Sequence, residues 1–166
     1  MQFDSQDPYE VVYDHIDIKD APELTDFSPR GGTPLLDAIG TLISKAGIKL
    51  AAMKEEDRPE KVVVIIVTDG QENCSKEYTK EAVNTLIKKQ TKDYSWEFVF
   101  LAANQDAIQT GTRYGFGARN SLTFCASSKG MLNSFASTSA NLLNLRSRSV
   151  SSMAYSAADR TASVAE

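Results

Sequence analysis

Two short segments carry the residue types that could hold a hard cation. The first is Arg30-Gly31-Gly32-Thr33-Pro34-Leu35-Leu36-Asp37-Ala38, where two glycines permit a tight turn and a hydroxyl stands at the start of a helix. The second is Thr68-Asp69-Gly70-Gln71-Glu72-Asn73, directly after an unbroken aliphatic run. A carboxylate binds such a cation directly or through water, and a threonine hydroxyl does likewise. Taken singly, each has a plainer reading. Thr33 is a preferred helix N-cap, with Pro34 at the first helical position. Asp69-Gly70 is turn chemistry. Asp37 and Glu72 read as solvated or local hydrogen-bonding groups. The Gly31-Gly32 pair lacks the GxxxxGK[ST] spacing of a phosphate loop and does not follow a buried strand.

Other reactive side chains offer less. The single histidine, His15, excludes a multi-histidine metal site and has no base partner for catalysis, so it reads as a surface or half-buried residue. Cys74 and Cys125 cannot build a disulfide framework, and no CxxC pair suggests zinc. Neither has the basic surroundings of a nucleophile. Lys88, Lys89 and Lys92 close one helix and Arg146 and Arg148 lie near the end of another, where cations complement the helix dipole. No residue set performs acid–base or nucleophilic chemistry, so no enzyme is expected.

The elements that must position the two segments follow from periodicity. Residues 1–4 and 9–16 read as strands joined by the turn Ser5-Gln6-Asp7-Pro8, a β-hairpin. Residues 17–32 are loop-like, with Pro22, Pro29 and the glycine pair. Leu35, Ile39, Leu42 and Ala46 recur at a helical period, giving a helix to about Met53. Residues 62–67 (VVVIIV) read as a fully buried strand and 78–92 as a helix. Residues 96–101 form a second buried strand, 106–114 a short helix, 121–125 a strand and 131–146 a last helix. This alternation predicts an α/β, three-layer fold, a mostly parallel sheet with helices on both faces. Residues 1–146 form the domain, and the Ser/Ala-rich 147–166 reads as a flexible tail.

Composition narrows the function. The chain has 166 residues, 42% hydrophobic and 24% charged, ordinary for one globular domain. Its 18 basic and 22 acidic residues give a net charge of −4. That argues against holding nucleic acid or anionic lipid by bulk charge. No apolar run reaches the ~20 residues of a membrane helix. The amino end has no basic region followed by an apolar stretch, so no secretory signal, and a cytoplasmic location is expected.

RGGTPLLDAIG, a link, and then a buried strand ending in TDGQEN together resemble the von Willebrand factor A domain family. The likeness extends through WEFVFLAANQDA, which is similar to bacterial and phage-type members, and covers residues 1 to about 146. It implies that Thr33 and Asp69 belong to a metal-ion-dependent adhesion site that usually holds Mg²⁺. In the complete family fold the metal keeps one coordination position for a carboxylate of a protein partner. The chain is therefore expected to be a protein-binding module, without nucleic-acid or membrane partners.

The family's first motif, DxSxS, is absent. Asp4-Ser5-Gln6-Asp7 is followed by Pro8 where the second serine should stand, and Phe3-Asp4-Ser5 fits the family's second strand. The chain thus reads as truncated before that strand, with Thr33 and Asp69 as the only family ligands. Mg²⁺ wants about six oxygens, so binding weaker than millimolar is expected. The family strand order 3-2-1-4-5-6 would lose its middle. The hairpin should then move beside residues 62–67, giving 3-2-4-5-6, because an open apolar edge invites self-association. The alternative is a truncated or degenerate A domain acting as a metal-independent interaction or structural protein.

Overall fold

The computed structural model describes residues 1–25, 30–103 and 105–165. Pro29, in the loop expected over 17–32, and Glu166, in the expected tail, lie outside them. The chain folds as α1 (Leu35–Ala52), β1 (Val63–Thr68), α2 (Lys80–Tyr94), β2 (Glu97–Ala103), α3 (Ala107–Tyr114), β3 (Ser121–Phe124), α4 (Ser128–Arg146) and α5 (Ala157–Ser163). The three strands form one parallel sheet in the order β1-β2-β3. In register, Val63 faces Glu97 and Thr68 faces Ala102, while Phe100 faces Ser121.

The sheet separates two cores, so the fold is a three-layer α/β arrangement, as the alternation predicts. On one face Leu35, Ile39 and Ile43 of α1 and Val83 and Ile87 of α2 meet Val64, Ile66 and Phe100. On the other, Leu145 of α4, Met153 and Tyr155 meet Val99, Leu101, Leu122 and Phe124. β2 is apolar on both faces because both are covered, and residues 99–103 are fully buried. β1 was expected to be fully buried, but it alternates. Val64, Ile66 and Thr68 are buried while Val63, Ile65 and Val67 are half-buried. The cause is its place at the sheet edge, with only one face well covered.

The amino-terminal hairpin is not formed. Among the described residues, Gln2 and Glu10 make one isolated antiparallel bridge, with N–O distances of 2.9 and 3.0 Å. Nothing from this segment joins the sheet beside β1, so the expected rearranged strand order is overturned. Local side-chain chemistry explains why. Asp4 Oδ1 accepts from Gln6 N (2.7 Å) and Asp7 N (3.2 Å), and Asp7 Oδ1 accepts from Tyr9 N (2.8 Å), which curls the chain. Farther on, His15 sits in the left-handed region at φ 53°, where an extended strand cannot continue.

The carboxyl end also departs from expectation. Residues 147–166, read as a flexible tail, include α5 and three buried side chains, Met153, Tyr155 and Ser163. Ser156 and Asp159 form a capping box, and Ser163 Oγ donates to Thr123 O (2.7 Å). Arg160 donates to Ser121 O (2.7 Å) and Ala118 O (3.0 Å). Few large apolar residues suffice because polar groups bind the backbone of β3 and its approach. Among the described residues no helix is long and apolar enough to cross a membrane.

Candidate functional site

The Gly31-Gly32 loop is fixed by the amino-terminal turn. Arg30 Nη2 lies 2.7 Å from Asp4 Oδ2 and also pairs with Glu10. Ser5 Oγ accepts from Gly32 N at 3.0 Å. Gly31 has φ +60°, and a Cβ there would stand 2.1 Å from Ser5 Oγ, so both conformation and space require glycine. Hydrogen bonds from Gln6 N–H, then Asp7 N–H and Arg30, hold the Asp4 carboxyl below the usual carboxylate range despite its desolvation. Asp4 is therefore engaged as a scaffold anion.

Thr33 is then clamped to the loop that follows β1. Its N–H donates to Asn73 Oδ1 (2.8 Å), and Asn73 N–H donates back to Thr33 O (3.2 Å). Gly70 approaches so closely that a Cβ on it would lie 2.6 Å from Thr33 Oγ1. Gly70 O accepts from Thr68 Oγ1 (2.9 Å) and from Gln105 Nε2 (3.1 Å), which ties in the loop after β2. Three loops thus meet at the carboxyl end of the sheet, where ligands collect in open α/β folds. Asp69 is exposed, and its carboxylate makes no hydrogen bond or ion pair among the described residues. The Thr33 hydroxyl makes none there either.

Thr33 does not cap α1. Pro34 occupies the N-cap position, and no side chain of its own segment caps the helix. The orphan amides are satisfied from across the fold. Glu72 Oε2 accepts from Leu36 N (2.9 Å), and Ser75 Oγ accepts from Leu36 N and Asp37 N (both 3.1 Å). Asp37 answers in the opposite direction. Its carboxylate accepts from Lys76 N (2.7 Å), Glu77 N (2.9 Å) and Tyr78 N (2.8 Å). Burial pushes the Asp37 and Glu72 carboxyls up, but the backbone donors around each outweigh it, and both sit below the usual range. These two acids lock the Thr33 loop to the Asp69 loop and are not available as metal ligands. Their bonds span 36 to 41 residues apart from those within 72–75, so the sequence signals only the Glu72–Ser75 spacing.

What remains for a cation is one hydroxyl and one carboxylate, both hard oxygen donors of the type Mg²⁺ prefers. The set fits in chemistry and falls short in number. Among the described residues no group of three or more His, Cys, Asp or Glu could hold a metal. His15 lies away on the surface, with Nδ1 2.6 Å from Asp14 and 2.8 Å from Lys49 Nζ. Cys74 and Cys125 are half-buried. Burial, with Glu72 and Asp37 nearby, pushes the Cys74 thiol up, away from thiolate chemistry. A crevice of about 620 Å³ opens between Gln105, Asp106, Thr123 and Cys125. Its polar groups serve the scaffold. Asp106 caps α3 at Ile108 and Gln109, and Thr123 Oγ1 accepts from Ala107 N. Compared with known proteins, the chain matches no family model, no curated protein and no solved structure.

Proposed function

We propose that this chain is a cytoplasmic protein-binding module of the von Willebrand A type, with Thr33 and Asp69 as part of an incomplete metal-ion-dependent adhesion site. One observation carries the reading. Thr33 Oγ1 is brought against the residue that follows Asp69, and among the described residues these two oxygen-bearing side chains have no hydrogen-bond or ion-pair partner while their polar neighbours are tied into the scaffold. Mg²⁺, when bound, would supply positive charge to receive a partner's carboxylate. The chain's own part is to hold Thr33 rigid through Asn73 and to present Asp69 to solvent. Recognition, and not bond-making, is the proposed activity.

The test is paramagnetic. Amide spectra recorded with millimolar Mn²⁺ should broaden selectively at 32–34 and 68–71, with binding too weak to saturate. Asp69→Ala should abolish that pattern. Broadening spread over the acidic surface, unchanged in Asp69→Ala, would refute the site.

A second reading has its own support. Among the described residues β1 pairs only with β2, and its other edge carries Val, Ile and Thr without the lysine, proline or bulge that usually protects an edge. An interaction through that edge would be independent of metal. Partner binding that survives EDTA would favour it over the metal-bridged mode.

A further inference from the structure

We propose that the outer edge of β1 pairs antiparallel with the same edge of a second copy of this chain, joining the two parallel sheets into one. The proposal rests on the reading of that edge as a metal-independent interaction surface, and it names what covers it. The register of β1 on β2 decides which groups are on offer. Val63 stands opposite Glu97, and Glu97 N–H donates to Val62 O (2.9 Å). In a parallel ladder such bonds go to the residues flanking the opposite one. Residues 62, 64, 66 and 68 therefore face β2, and the N–H and C=O groups of Val63, Ile65 and Val67 point the other way. Among the described residues those backbone groups make no hydrogen bond. The side chains of the same three residues are half-buried against the second core. A row of unpaired backbone groups between part-covered aliphatic side chains is a template for another strand.

Charge selects the occupant and its direction. Lys61 lies just before the strand and Asp69 just after it. Both are exposed, and among the described residues neither side chain has a hydrogen-bond or ion-pair partner. A twofold axis at Ile65 sets Ile65 against Ile65, Val63 against Val67, and Lys61 against Asp69. The strand residues in this register are the ones whose backbone points outward, so each opposite pair can exchange both of its hydrogen bonds. The contact is isologous, and the Lys61–Asp69 pair therefore forms at both ends. Parallel pairing in register would put Lys61 beside Lys61 and Asp69 beside Asp69. The twofold axis also keeps the aliphatic side chains on one face of the joined sheet, where Val63, Ile65 and Val67 of each copy cover those of the other. The contact needs no metal.

Amide hydrogen exchange of the full chain in EDTA tests this over a range of concentration, with sedimentation equilibrium giving the dimer constant. Val64, Ile66 and Thr68 should be protected throughout, because β2 holds them. Val63, Ile65 and Val67 should exchange fast when dilute and about tenfold more slowly as the chain dimerises. Lys61→Glu and Asp69→Lys each set like charges together at both ends and should each weaken the dimer about tenfold. The two changes in one chain restore opposite charges and should recover it. Both residues are exposed, so unchanged melting temperatures separate lost association from unfolding. Edge amides that exchange fast at every concentration up to millimolar overturn the proposal and leave the edge open to another partner. Edge amides that are slow even when dilute overturn it together with the edge reading, because the chain then covers that edge itself. Association that neither charge variant weakens, or that the double variant does not recover, also overturns it.

Discussion

Asp37 shows how far a side chain's role can lie from its neighbours in sequence. It is 5% exposed and accepts three backbone N–H groups from the chain before α2. Asp37→Ala leaves those donors without a partner in a buried place and should lower stability by about 2–3 kcal/mol in chemical denaturation. Thr33→Ala should cost under about 0.5 kcal/mol, because its hydroxyl caps nothing, whereas loss of a true N-cap costs about 1 kcal/mol. The pH response follows from the same bonds. Asp37 and Glu72 have folded pKa values below their unfolded ones, so their stabilisation is complete above the ordinary carboxylate value of about 4 and is lost as pH falls through the folded values. Melting temperature should drop with acid below about pH 4, and less steeply in Asp37→Asn than in the parent chain. Thr33 and Asp69 were legible as candidates because their motifs are contiguous. The lock between Asp37, Glu72 and Ser75 was not, because it joins two loops about 40 residues apart.

Elements with a strong period were legible, and those decided by tertiary contacts were not. α1, β1, α2 and β2 fall within a few residues of their expected bounds, since each has an unbroken apolar stripe or run. The hairpin failed because Asp4 and Asp7 bond their own backbone and His15 turns the chain. The order of the carboxyl end is not legible in its composition, which does not reveal that Met153 and Tyr155 fit against the sheet. Met153 is fully buried among Leu122, Phe124 and Leu145. Met153→Ala should therefore cost about 2–5 kcal/mol. A truly flexible tail would give no change, and thermal unfolding of this single variant decides between the two.

At the scale of the whole molecule, helices cover both faces of β2 but only one face of β1 well. Val63, Ile65 and Val67 remain half-buried in a strand that, among the described residues, has a partner on one side only. The proposed A-type reading gives this gap a meaning. A further strand and helix would complete the sheet beside β1 and bring a DxSxS loop to the carboxyl end, where Thr33 and Gly70 already meet. Added apolar burial should stabilise the chain by roughly 1.5–3 kcal/mol for each large side chain covered. The added loop should turn two weak ligands into a working divalent site, whose occupancy stabilises the fold by mass action. The decisive measurement is the melting temperature of this chain extended at its amino end by a strand and helix bearing DxSxS, with and without millimolar Mg²⁺. The account predicts a rise with Mg²⁺ that Thr33→Ala and Asp69→Ala each erase, while the metal-free melting temperature barely moves. An extended chain that melts at the same temperature with and without Mg²⁺ or Mn²⁺ would contradict it.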